Sequence, residues 1–183
     1  MIQEVAFGEE GAMLQFVWLF PLLFLFHDME EIIGFGIWLD RNQNMLEERY
    51  PKISRTYRDY STEGMALAVF EEFMVCILFC ALAVVIQVKP IWLLWLGAFI
   101  VYALHLVIHI GQSIVIKQYI PALITSIIAL PVSIWVILQR ISELHCTIGD
   151  VVGYSVLGIV GVGGNLKFAQ SLIGRFTRWK ERL

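Results

Sequence analysis

Inside the first long apolar run of the chain stand His27, Asp28, Glu30 and Glu31, in the string HDMEE. A second apolar run carries Glu71 and Glu72, and a third carries His105 and His109 in HLVIH. Imidazole nitrogen and carboxylate oxygen are a common ligand pair for divalent metals. A carboxylate left over from ligation can act as general base on water whose pKa the metal lowers toward neutrality. Ionisable groups within an apolar span are costly and by default mark a functional position. Asp28, Glu30, Glu31, Glu71 and Glu72 have no Lys or Arg at their level to balance them. An isolated carboxylate in low dielectric takes up a proton rather than stay charged. Protonation of all five is one solution. Bound cations are the other, and they also account for the histidines.

The elements that must position these groups follow from composition. The chain has 183 residues, 58% of them hydrophobic and only 16% charged, with a mean hydropathy of +0.74. A soluble domain is roughly 45–50% apolar and about a quarter charged. The excess does not fit one small aqueous core, which argues against a soluble enzyme, a secreted disulfide scaffold and a disordered chain. The expectation is an all-α, polytopic membrane bundle in a single domain over 1–183. About 20 mostly apolar residues make a span, and five candidates cover about 13–39, 62–88, 91–116, 120–138 and 151–166. The last is the shortest, and Gly149, Gly153, Gly158, Gly161, Gly163 and Gly164 suggest close helix contact there. Pro131 is expected to kink the fourth. No Lys or Arg precedes the first span, so it does not read as a cleavable signal. Cys76, Cys80 and Cys146 form no disulfide framework.

Lys and Arg set the expected direction. The first loop holds Arg41, Arg49, Lys52, Arg55 and Arg58, and the C-terminal tail holds Lys167, Arg175, Arg178, Lys180 and Arg182. Lys89, Lys117 and Arg140 are spread singly over the other loops. This predicts the N-terminus outside and the C-terminus inside, in a multi-pass protein of the cell membrane, by expectation a bacterial inner membrane. The basic amphipathic tail, 167–183, reads either as a surface helix on anionic lipid or as a solvated basic end. A net charge of −3 gives nucleic-acid binding no electrostatic support.

Depth and angle bring the polar groups together. At 1.5 Å per residue, His27 to Glu31 and His105 to His109 lie roughly 20–27 Å from the outer ends of their spans. Glu71 and Glu72 lie roughly 24–26 Å along theirs, counted from the same side. One layer results, toward the cytoplasmic side of the midplane. His27, Glu30 and Glu31 share an arc of about 100°, with Asp28 outside it. His105 and His109 share a stripe with Ala98, Tyr102 and Gln112. Glu71 and Glu72 straddle a stripe of small residues, Gly64 and Ala68, that would admit another helix. Bundle metal sites use inward Glu and His in a similar way. The expected ligands are His27, Glu30, Glu31, Glu71, Glu72, His105 and His109, with Glu30 and Glu72 as candidate catalytic carboxylates. Thr125, Ser126 and Asn165 are further candidates to line the site. A metal-free polar network and a haem held between histidines stand as alternatives, the carboxylates arguing against haem.

His27, Glu30 and Glu31 fit H-x-x-E-E, and the chain here resembles the HXXEE-motif family of integral membrane proteins. The likeness extends to size and span pattern. It implies a membrane enzyme with His27, Glu30 and Glu31 at its centre, and it supplies no substrate. The expectation is a metal-dependent enzyme acting on a lipid or other hydrophobic substrate. Zinc would favour hydrolysis, whereas an iron or manganese pair would permit oxidation. The alternative is a proton-coupled or metal-ion transporter using the same groups, though no inverted repeat is visible. A membrane scaffold with a buried polar network is the third reading, and a homo-oligomer is compatible with each.

Overall fold

The computed structural model describes residues 16–182, and among these every regular element is helical. The start of the expected first span, 13–15, and Leu183 lie outside the described residues. Helix α1 runs Leu19–Arg49, α2 Pro51–Thr56, α3 Thr62–Ile86, α4 Lys89–Ile116, α5 Leu123–Glu143 and α6 Ile148–Lys180. Four of them, α3 to α6, are long and apolar enough to cross a membrane. Helix α1 is long enough too, but Asp28, Glu30 and Glu31 interrupt its apolar half.

Two helices outrun the apolar segments that announce them. Helix α1 continues to Arg49 because the polar stretch after Leu39 is free of glycine and proline and rich in good helix formers. Pro51 then stops it, since the residue before a proline is driven out of the helical region. Helix α6 runs unbroken from Ile148 to Lys180, so most of the basic C-terminal stretch is the end of a long helix. No proline follows Thr147 to break it. Hydropathy marks where a helix is apolar, whereas backbone hydrogen bonding decides where it ends.

The loops are closed by local chemistry. The Ser61 hydroxyl accepts from Gly64 N–H at 3.1 Å and caps α3. Thr147 and Asp150 form a capping box at the start of α6. Gln87 and Lys117 close α3 and α4 in the left-handed region, at φ 49° and 56°. Pro131 sits within α5, which continues through it to Glu143.

Helix α4 is the centre of the bundle, packed against α6 and α5, while α6 also lies along α3, and α1 lies against α3 and α5. The α4–α6 crossing is the tightest: a Cβ on Gly97 would fall 2.2 Å from the Tyr154 carbonyl oxygen. Gly158 meets Gly97 from the other side. By contrast Gly153, Gly161, Gly163 and Gly164 face open space, so of the expected glycine contacts in this helix it is Gly158 that presses on a neighbour. Trp92, Trp95, Phe99 and Tyr102 carry the core along α4, with Phe20 of α1 edge-on to the last three or tilted against them. Arg140 is also buried, paired with Glu143 at 2.7 Å and set over the rings of Phe16 and Trp92. Leu22, Ile33, Phe70, Leu78, Ile114, Leu138 and Val160 are all more than half exposed, spread over the five long helices. So much outward apolar surface is what a lipid environment would cover.

Polar contacts join the loops in two groups. The segment after α2 meets the end of α6 through Asp59–Arg178 at 2.6 Å, Ser61–Thr177 at 2.8 Å and a Glu63–Lys180 ion pair. Lys89, before α4, reaches Asp150 at 3.9 Å and the His145 carbonyl at 3.5 Å.

Candidate metal centre

Helix α1 presents His27 and Glu31 four residues apart, and α4 presents His105 and His109 at the same spacing. Four residues bring side chains to one face of a helix, a turn apart. Where the two faces meet, one ligand atom from each residue lies within 4.8 Å of all the others. The His109 Nε2 is 2.9 Å from His105 Nε2 and 3.0 Å from Glu31 Oε1. Ligand atoms of one small divalent ion, bonded at about 2.0–2.2 Å, stand about 3 Å apart or slightly more. The His27 ring is 5.3 and 5.1 Å from those of His105 and His109, centre to centre. His27 is fully buried, and its Nε2 has no hydrogen-bond partner. Buried polar atoms are nearly always paired. A buried nitrogen without a partner, among two more imidazoles and a carboxylate, belongs to a donor set that a divalent cation would suit.

Glu30 is placed elsewhere. Its carboxylate accepts from the Tyr119 hydroxyl at 2.6 Å, from Thr125 N–H at 2.7 Å, from the Thr125 hydroxyl at 2.6 Å and from Ile124 N–H at 3.4 Å. These donors lie in and beside the first turn of α5. Ala122, at its N-cap position, sits at φ 93° and has no side chain to cap it. Glu30 supplies that cap from a different helix, and a carboxylate is well placed at the positive end of the dipole. Gly34, one turn further along α1, leaves room for the Pro121 ring, which a Cβ would meet at 2.9 Å. The α4–α5 loop can thus close down on α1.

The other expected groups are also accounted for. Asp28 is buried and turned toward α3, within electrostatic range of Glu31 and Glu72. Glu72 is likewise within range of Glu31. Glu71 accepts from the Asn165 amide of α6 at 3.2 Å. The small stripe of α3 receives that helix, as Gly64 touches the backbone of Ile173. Thus the structure brings His27, Glu31, His105 and His109 into one group, while Glu30 and Glu71 bind neighbouring helices and Glu72 stands beside the group. Tyr119 carried no signal in the sequence, because it lies in a loop and is brought to Glu30 only by the packing of α5 on α1.

The surroundings of the group differ along α1. On one side Phe20, Phe24, Phe99 and Tyr102 pack on one another, with Tyr102 edge-on to His27, and the Tyr102 hydroxyl donates to the Leu23 carbonyl at 2.7 Å. Further along α1, a cavity of about 460 Å³ opens between α1, α2 and the start of α3, and none of the four residues lines it. Asp40, Glu47, Arg58, Tyr57 and Tyr60 are among its walls. Burial and the nearby Glu31 carboxylate push the Tyr57 phenol up; burial, more than Glu31, pushes Tyr60 up to about 12. Both phenols stay neutral at physiological pH, and both line the cavity within electrostatic range of Glu31.

A family model described as a protein of unknown function with HXXEE motif matches residues 18–136, more than half of the chain. No curated protein and no solved structure matches.

Proposed function

The chain belongs to the HXXEE-motif family, and we propose that it is an integral membrane enzyme whose divalent metal is held by His27, Glu31, His105 and His109. The observation that carries this reading is the convergence of those four ligand atoms within 4.8 Å from two helices. The buried, unpartnered His27 Nε2 supports it. Helix α1 is the fifth span, its charges tolerated because they face the bundle and each other. A bound divalent ion would supply Lewis-acid polarisation and activation of water. Glu72, beside the four ligands, is the candidate general base. A lipid or other hydrophobic molecule is the substrate class, entering from the bilayer or from the cavity lined by Asp40 and Arg58.

The aromatic packing of Phe99 and Tyr102 beside His27 favours a site closed on that side. A transporter would need a path through the layer of Phe20, Phe99 and Tyr102. The test is elemental analysis of the purified protein in detergent, followed by assays of lipid turnover and of ion flux in liposomes. Stoichiometric zinc, iron or manganese with turnover and no flux is the expected result. No metal, even after incubation with each ion, would remove the metal centre. Steady flux without turnover would replace the enzyme with a transporter.

A further inference from the structure

The motif contains two glutamates, and the four-residue group uses one of them. Thr125 stands between the other, Glu30, and the histidine: its Oγ1 is 2.6 Å from Glu30 Oε2 and 3.1 Å from His27 Nδ1. A threonine hydroxyl has one proton to give. The acceptors within its reach are Glu30 Oε2 at 2.6 Å, His27 Nδ1 at 3.1 Å and the Ala122 carbonyl at 3.4 Å. The carboxylate is both the nearest and the strongest acceptor. With that proton committed to Glu30, the hydroxyl can only accept from His27. Nδ1 must then carry the ring hydrogen, and Nε2 must carry the lone pair.

We propose that Glu30 and Thr125 are positioning residues which, as a relay across the α1–α5 interface, lock His27 in the tautomer that presents its Nε2 lone pair to His105, His109 and Glu31. The relay is anchored at every atom. Glu30 is held by Tyr119 and by the first N–H groups of α5, so it cannot swing toward the metal group without uncapping that helix. Thr125 is fixed because its backbone N–H and its hydroxyl bind the same carboxylate oxygen. A neutral imidazole left to itself favours the hydrogen on Nε2, which would close the lone pair that ligation needs. Ligating histidines commonly have the other ring nitrogen fixed by such an outer partner, and losing it typically costs about 10–100-fold in metal affinity. The three named motif residues therefore divide the work: His27 and Glu31 offer ligand atoms, while Glu30 orients His27 and caps α5.

This inference rests on the metal-centre reading for its purpose but not for its test. The experiment is nitrogen-15 NMR of histidine-labelled, metal-stripped full-length protein in detergent micelles, with His27 assigned by its loss in His27→Gln. The parent and Thr125→Ser should show Nδ1 protonated and Nε2 unprotonated. Thr125→Val, which keeps the shape and removes the hydroxyl, should shift the population toward the Nε2–H form. Zinc affinity should fall about 10–100-fold in Thr125→Val and return in Thr125→Ser. Glu30→Gln is the second variant: the Thr125 N–H can only donate and so holds the amide oxygen on its side, the hydroxyl keeps its acceptor, and the Nδ1–H form should persist. An Nε2–H tautomer at His27 in the parent, or an unchanged tautomer in a folded Thr125→Val, overturns the relay. Absence of zinc binding together with the Nδ1–H tautomer in the parent would overturn the metal centre and leave the relay standing.

Discussion

At the scale of single residues, the site separates groups that composition alone treats as equivalent. Glu31→Gln or His105→Ala removes one of four ligands, so bound metal should drop from stoichiometric to background. The parent should gain thermal stability on adding zinc, because an ion that binds the folded state stabilises it by mass action. Neither variant should show that gain, which thermal melts with and without zinc would read. Asp28→Asn should retain most of the metal, since Asp28 is not among the four residues whose ligand atoms converge. Glu72→Gln should bind metal normally yet turn over about 10²–10⁴-fold more slowly, as removal of a general base does. Normal turnover in a metal-loaded Glu72→Gln would take the base role from it. Tyr119 gives a pH signature outside the spans. Burial, and then the Glu30 carboxylate it donates to, push its phenol up to about 12. A folded-state pKa above the unfolded value of about 10 means the bond contributes fully below about pH 10. That contribution is lost as pH rises from about 10 through about 12. Tyr119→Phe should therefore narrow the stability gap to the parent as alkaline melts approach pH 12, and a constant gap would contradict this role.

At the scale of elements, the α4–α6 crossing is the tightest of the contacts that hold the His105–His109 helix in the bundle. The Gly97 Cα and the Tyr154 carbonyl approach so closely that any side chain must push the helices apart. Gly97→Ala should cost about 1–3 kcal/mol, the usual range for overpacking. Gly161→Ala and Gly164→Ala meet nothing within 4 Å and should be neutral or slightly stabilising, because alanine is the better helix former. Unfolding of the three variants in the same detergent gives the comparison. Equal losses at all three positions would mean that α6 packs by a different face. The cap on α5 belongs to this scale as well. A helix whose own N-cap residue is an alanine borrows a carboxylate from α1, so the site and the α1–α5 interface stand or fall together.

At the scale of the whole molecule, the joined loops describe an up-and-down bundle. The α2–α3 connection and the end of α6 meet through Asp59–Arg178 and Ser61–Thr177. Lys89 meets Asp150 and the His145 carbonyl, where the chain enters α4 and α6. Most of the Lys and Arg residues fall with the first of these groups. The positive-inside rule then predicts that group on the cytoplasmic side and the start of α1 outside. A cysteine placed near Arg55 should resist membrane-impermeant reagents in intact cells and react in inverted vesicles, whereas one near His145 should do the reverse. Labelling near Arg55 from outside would invert the orientation. In that topology the cavity bounded by Asp40 and Arg58 opens to the cytoplasm, and the aromatic layer faces outward.

Much of this was legible before any coordinates. A helical, membrane-like bundle follows from composition, because so much apolar surface has few other places to go. The coincidence of His27, Glu31, His105 and His109 follows from helical rise and the four-residue period, which depend only on position along the chain. The residues that this periodicity could not sort are the ones whose role depends on a partner helix. Glu30 lies on the same arc as Glu31, and only the seat of α5 turns it toward Thr125 and Tyr119. Glu71 and Glu72 are neighbours in sequence, and only the position of α6 gives one of them Asn165. The six glycines near the last span are alike in a sequence, while the crossing selects Gly158. The length of α6 was hidden for another reason: hydropathy falls at its basic end although the helical hydrogen bonds continue. Periodicity decides which face and which depth a side chain occupies, but the packing of a second helix decides what stands opposite, and in this protein that separates Glu31, which joins the four-residue group, from Glu30, which reaches Thr125 and Tyr119 instead.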